Sequence, residues 1–174
     1  MSNAIIQKLN QLGYATIPEA FYSKVAEWKS WYQGNVKGFH NYRVRNGESM
    51  VNCKRYSLGM GKKLCEDWAN LLMNEKVQIT LEGQNEQAFI DRVLAENNFT
   101  VKANEMQEMK SALGTVAYIP RVVGQEVNES GEIVPGNVSG IVLDYVTIEN
   151  IYPLAWQNGY ISECAFSSVV TRSG

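Results

Sequence analysis

The hydrophobic pattern of this chain changes its period at Gly114, and that break limits the folds open to it. Ahead of it, apolar residues recur mostly at helical spacing; behind it, stretches rich in Val, Ile and Tyr lie between turn pairs. Helices first and strands after give an α+β fold, not alternating α/β units.

Within the leading segment, Ser2 to Leu12 is helical and is closed by Gly13, and Pro18 sits where a second helix would tolerate it. That helix runs to about Gln33 with Phe21, Val25, Trp28 and Tyr32 on one stripe, and Gly34 stops it. Lys37 to Tyr56 takes a strand-like period around Asn46-Gly47, a preferred tight-turn pair, which predicts a β-hairpin. Leu58 to Glu75 reads as a helix whose face of Met60, Leu64, Trp68, Leu71 and Leu72 belongs to the core. Val77, Ile79 and Leu81 alternate with polar residues and predict a half-buried strand ending at Gly83. Two helices follow, 87–97 and 101–113, parted by Asn97-Asn98.

Beyond Gly114 the pattern predicts a mainly antiparallel β region: Val116 to Val127, a turn at 128–131, Ile133 to Val134, and Val138 to Ile148. Asn158-Gly159 then joins Ile151–Trp156 to Tyr160–Val170 as a further hairpin. With 174 residues, 45% of them hydrophobic and 20% charged, the chain is expected to form a single domain, 1–174. Residues 1–114 are expected to be mainly helical, with the hairpin at about 37–56, and residues 115–174 mainly β. A chain of this length holds a core without disulfide or metal staples.

Three scattered cysteines, Cys53, Cys65 and Cys164, argue against a secreted disulfide framework and for a reducing compartment. The first residues are too polar for a signal peptide, and no apolar run approaches the roughly 18 residues of a membrane span. An intracellular soluble protein with no membrane partner is expected. The Asn-x-Ser/Thr sites at Asn98, Asn128 and Asn137 are then chance matches.

No reaction chemistry stands out. Gly59-Met60-Gly61-Lys62-Lys63 has Tyr56 where a phosphate loop needs its first glycine and Lys63 where it needs a hydroxyl for magnesium. His40, the one histidine, has no convincing nucleophile to serve, and Cys65 lies beside an apolar stripe as a small packed side chain. The cysteines lack the short spacing of a zinc site, and the acidic pairs Glu66-Asp67 and Glu105/Glu108 read as solvated helix faces. Catalytic, metal and cofactor sites are therefore expected to be absent.

Charge is a stronger signal. Residues 1–63 carry ten Lys/Arg against three Glu, and the remainder carries six against fifteen Asp/Glu, so the two segments are +7 and −9. Such segments can complement each other within a fold or an oligomer, or mark a face for an acidic partner. The basic residues gather at Lys37, Arg43, Arg45, Lys54, Arg55, Lys62 and Lys63, interleaved with Phe39, Tyr42 and Tyr56. Cations among aromatics can hold phosphates and stack bases, so these seven are candidate contacts for nucleic acid or a partner. A solvated ribbon with inward aromatics is the plainer alternative. Trp31 and Tyr22 are either docking anchors or buried under a neighbouring element.

Several strings carry a resemblance. They are Ile17-Pro18, Trp28-Lys29-Ser30-Trp31-Tyr32, Gly38-Phe39-His40-Asn41-Tyr42, Ser57-Leu58-Gly59-Met60, Glu66-Asp67-Trp68-Ala69-Asn70-Leu71-Leu72 and Asn74-Glu75-Lys76-Val77. Asn97-Asn98-Phe99, Ala112-Leu113-Gly114-Thr115, Asp144-Tyr145-Val146, Tyr152-Pro153-Leu154-Ala155-Trp156 and Glu163-Cys164-Ala165-Phe166 continue the series. In this order they resemble the N-terminal portion of tailed-bacteriophage portal proteins, of the minor-capsid type found in phages and prophages of Gram-positive bacteria. The resemblance implies a structural, non-enzymatic subunit of a dodecameric ring at one capsid vertex of the virion, assembled in the host cytoplasm. Double-stranded DNA would pass through that ring, and terminase, capsid and head-tail connector proteins would be its partners. It also implies that the chain is a leading portion similar to a piece of the wing, without the stem helices, clip or crown. A binding module that offers the basic hairpin to nucleic acid or an acidic partner is the competing reading.

Overall fold

A computed structural model of the protein describes residues 2–74 and 77–168. Among them, helices α1 (Ser2–Gln11) and α2 (Glu19–Tyr32) come first, then strands β1 (Asn41–Asn46) and β2 (Ser49–Lys54). Helices α3 (Met60–Leu72), α4 (Gln84–Glu96) and α5 (Phe99–Leu113) follow, and then β3 (Val116–Val127) and β4 (Ile133–Thr147). A short 3-10 turn, Ile148–Asn150, leads into β5 (Ile151–Gln157) and β6 (Tyr160–Phe166). The strands pair as three separate antiparallel hairpins, β1-β2, β3-β4 and β5-β6. This is the α+β fold expected from the break at Gly114.

Local chemistry accounts for the element ends. Pro18, at φ −57° and ψ 144°, stands just ahead of α2, where a missing N–H costs nothing. Gly34 stops α2 at φ +65°, a conformation in which an added Cβ would also lie 2.5 Å from Ser57 Oγ. Asn158 and Gly159 both take positive φ, 51° and 83°, as a two-residue type I′ loop requires. In the first hairpin the ladder extends through Asn46 opposite Ser49, so the loop is Gly47-Glu48, one residue later than the Asn46-Gly47 pair predicted. β4 is continuous where the sequence predicted two strands, and the register shift at Val123/Gln125 absorbs the irregularity.

The core lies where α1, α2 and the end of α5 meet the 3-10 turn and β5. Val25, Leu113, Ile148 and Ile151 form one buried cluster, and Ile6, Tyr22 and Tyr152 form its neighbour, with Phe21 touching both. The rings of Tyr22 and Tyr152 stack at 5.4 Å. Across the same junction Lys29 Nζ on α2 lies 2.7 Å from the Glu149 carboxylate. A second junction is polar. The buried Asn97 amide nitrogen donates to Val93 O (2.8 Å) and Ile141 O (2.7 Å), and the Leu143 N–H donates to Asn97 Oδ1 (2.8 Å). One side chain thus ties the α4–α5 corner to β4, and Lys102 Nζ adds a bond to Leu143 O at 2.8 Å.

Two further predictions are corrected. Val77, Ile79 and Leu81 are exposed and lie in no strand; their backbone is held by Gln87, whose Oε1 accepts from the Leu81 N–H (2.7 Å) and whose Nε2 donates to Ile79 O (3.1 Å). The apolar stripe of α3 is not core either. Leu64 is 70% exposed and Trp68 55% exposed, whereas Ala69 is fully buried. Small residues decide the outcome: Gly61, Cys65 and Ala69 let α3 approach its neighbours closely, and the bulkier stripe is turned outward. Ala103 on α5 is equally buried, and Asn104 Nδ2 donates to Asn70 Oδ1 at 2.9 Å across the α3–α5 contact. Glu75 and residues 169–170, included in the predicted helix and strand, lie outside the described residues.

Candidate functional site

The β1-β2 hairpin is a two-stranded ribbon with both faces largely open. Its register places Arg43 opposite Asn52, Arg45 opposite Met50 and Lys54 opposite Asn41. By strand alternation, Arg43, Arg45 and Lys54 share one face, and Tyr42, Val44, Val51 and Cys53 share the other. Val44 and Val51 are exposed, so the alternative of a ribbon with its aromatics packed inward fits only incompletely: Tyr42 is half-buried.

Arg55, just beyond β2, anchors the ribbon's base. Its guanidinium lies 4.4 Å from the Tyr42 ring centre and 5.0 Å from that of Phe39, and its Nη1 donates to Phe39 O at 3.2 Å. Lys54 Nζ sits 5.5 Å from the centre of the Tyr56 ring. Such cation–aromatic contacts hold the charged heads close to apolar surface without neutralising them.

His40 is buried in the turn that precedes β1. Its Nδ1 accepts from the Val36 N–H at 2.8 Å, its own N–H donates to Val36 O at 2.8 Å, and its carbonyl accepts from the Arg55 N–H at 2.7 Å. The imidazole therefore fixes the geometry of the ribbon's base.

Beside the ribbon runs a groove of about 560 Å³ between α2, α3 and the turn at His40. Its walls include Trp31, Phe39, Tyr56, Leu58, Met60 and Leu64. Every one of these six is exposed, Leu58 to 89% and Tyr56 to 86%, and Trp31 packs on Phe39 at 5.1 Å between ring centres. Cys65 lies in the same wall. Burial, together with the charges of Glu108 and Glu66, pushes its thiol above the ordinary range, which makes it a poor nucleophile.

The seven basic residues named from the sequence divide into two groups. Lys62 and Lys63 are tied on α3 itself, to Glu66 at 3.4 Å and Asp67 at 2.7 Å; the Asp67 hydrogen bond and charge hold the Lys63 ammonium above its usual range. Lys37, Arg43, Arg45, Lys54 and Arg55 make no ion pair among the described residues. Of the proposed aromatic anchors, Tyr22 is buried in the core and Trp31 is open to the groove. The groove's α3 wall escaped sequence reasoning because the stripe was assigned to the core. The run Gly61, Cys65, Ala69 at four-residue spacing was the signal that a second face could pack more closely.

A second surface lies on the β3-β4 arm. From Val122 to Thr147 the β3-β4 arm has no Lys or Arg and carries Glu126, Glu129, Glu132 and Asp144. Asp144, on the arm's base, pairs with Arg121 and lies 3.7 Å from Lys102; the hydrogen bond from Arg121 holds its carboxyl below the usual range. The three glutamates at the tip are exposed, and beside them Val127 and Ile133 face each other across the ladder, 70% and 68% exposed.

Among the described residues no cluster of three or more His, Cys, Asp or Glu could hold a metal ion, and no helix is long and apolar enough to cross a membrane. What the surface offers is two unlike patches, one basic and apolar, the other acidic and apolar. No curated protein and no solved structure gives a significant match to this chain. The family model described as "Phage portal protein, SPP1 Gp6-like" matches residues 14–165, from the approach to α2 through nearly all of β6. That family is a structural one, and its oligomeric ring is a component of the phage capsid. With most of its length matched, the chain belongs to the SPP1 Gp6-like family of phage portal proteins.

Proposed function

We propose that residues 1–174 form one wing-like domain of a portal ring at a capsid vertex, a structural element through whose channel double-stranded DNA is packaged and ejected. The observation that carries this reading is the family match over residues 14–165. In the virion the ring, a dodecamer, docks terminase and head-tail connector proteins, and it assembles in the host cytoplasm. Nucleotide chemistry then belongs to the motor that docks on it, consistent with Tyr56 and Lys63 standing where a phosphate loop would need glycine and a hydroxyl. Electron microscopy and native mass spectrometry of the full chain test the reading. Closed rings are the expected result, and a chain that stays monomeric at high concentration overturns it.

Lys37, Arg43, Arg45, Lys54 and Arg55 support a contact role for the basic ribbon within that assembly. Arg43, Arg45 and Lys54 share one face of the ribbon, with Lys37 and Arg55 at its base, and this charge, unpaired among the described residues and beside an apolar groove, suits an acidic surface. Lys62 and Lys63, already paired on α3, add less to it.

A further inference from the structure

We propose that the groove beside the basic ribbon receives the acidic tip of the β3-β4 arm from a second copy of this chain. This inference rests on the portal reading and names the contact surfaces within the ring.

Three observations meet in it. The first is chemical: the groove walls are exposed aromatic and aliphatic side chains, with Leu58 and Tyr56 nearly bare. An apolar patch of this kind, rimmed by charge, marks an interaction site. The second is electrostatic. Lys54 and Arg55 stand at the groove's edge with no carboxylate paired to them among the described residues, and Arg43 and Arg45 continue the charge along the ribbon. The arm's tip presents the complement, three exposed glutamates around the Val127/Ile133 pair, with no basic residue between Arg121 and Arg172. The third is geometric. Groove and arm are different surfaces, so their contact is heterologous, and head-to-tail repetition of a heterologous contact closes into a ring when its rotation allows. The opposite net charges of residues 1–63 and the remainder, +7 and −9, are what such head-to-tail neighbours need.

In the proposed contact Val127 and Ile133 enter between Tyr56, Leu58 and Met60, and Glu126, Glu129 and Glu132 face Lys54, Arg55 and the ribbon. Apolar burial supplies the affinity and charge fixes the register. Nucleic acid on the basic ribbon is the rival occupant.

Two variants of the full chain test it: a groove variant, Lys54→Glu with Arg55→Glu, and an arm variant, Glu126→Lys with Glu129→Lys and Glu132→Lys. Circular dichroism checks that both fold, and sedimentation velocity and native mass spectrometry read assembly. Each variant alone sets like charges against each other and should self-associate at least tenfold more weakly than the unmodified chain. Mixed one to one, acidic arm meets basic groove and basic arm meets acidic groove, so assembly should return as an alternating ring. If either folded variant assembles alone as well as the unmodified chain, or the mixture gives no recovery, the contact is overturned and the portal reading stands. Loss of duplex DNA binding by the groove variant with assembly unchanged also overturns it, in favour of the nucleic-acid occupant. An unmodified chain that stays monomeric overturns both.

Discussion

The Tyr22 phenol on α2 donates to the carbonyl oxygen of Ile151 at 2.8 Å, a bond that spans 129 residues and locks the helical segment to β5. Burial, with the neighbouring Tyr152 and Cys164, pushes the Tyr22 hydroxyl up to about 12. The folded state therefore keeps this proton at pH values where the unfolded chain has lost it, and stability falls as pH rises above about 10. Tyr32, Tyr118 and Tyr145 are raised as well and add to the same alkaline loss. Tyr22→Phe should cost about 1 kcal/mol at neutral pH through the lost hydrogen bond. It should also flatten the decline above pH 10, as read by urea unfolding across a pH series.

Asn97 is a stronger test of the polar junction. Replacing it with Ala leaves Ile141 O and the Leu143 N–H without their side-chain partner at a half-buried site. Stranded groups of this kind cost about 1–3 kcal/mol. Asn97→Asp keeps the acceptor for Leu143 but sets a carboxylate oxygen against the Val93 and Ile141 carbonyls at a buried position, so it should cost at least as much as Asn97→Ala. Hydrogen exchange at Leu143 reports directly: protection of that amide should drop in the Ala variant.

What could be read from the sequence divides along a physical line. The Gly114 break, the Asn158-Gly159 turn and the five helices depend on a few consecutive residues and are present, although α3 is shorter than predicted at both ends, α4 begins three residues earlier, at Gln84, and α5 two earlier, at Phe99. Apart from the one-residue slip of the Asn46-Gly47 turn, what failed depends on partners distant in the chain. The alternation of Val77, Ile79 and Leu81 is the same whether a strand pairs with them or the Gln87 side chain holds them, so a strand was the wrong inference. On α3, hydrophobicity identified the apolar stripe but not which face the rest of the chain would cover. Ala69 and Ala103 settle that by permitting close helix approach. The basic residues of the candidate site were legible as a cluster; the groove beside them was not, because its wall had been assigned to the core.

Gly34 combines two constraints that substitutions can separate. A Cβ there would meet Ser57 Oγ at 2.5 Å, and φ is +65°; at Gly13, φ is +88° and nothing lies within 4 Å of the added atom. Gly13→Ala should therefore cost only the left-handed backbone penalty, about 1–2 kcal/mol. Gly34→Ala should cost more, and Ser57→Gly in the same chain should return the difference without restoring the parent stability. Thermal melts of the four chains check the ordering.

The packing of α3 makes opposite demands on two adjacent residues. Trp68 is 55% exposed, so in the isolated chain Trp68→Ala should change stability by only about 0.5 kcal/mol, far from the roughly 3–5 kcal/mol of a buried tryptophan. Ala69 is fully buried against close neighbours, and Ala69→Leu should overpack the site at a cost of about 1–3 kcal/mol. Urea unfolding of the two variants under conditions that keep the chain monomeric reads both numbers. A large loss for Trp68→Ala with tolerance of Ala69→Leu would mean that α3 is rotated about its axis, with the Leu64–Trp68 stripe inside. The structure requires the reverse order, and the exposed stripe is then free to pack against another molecule.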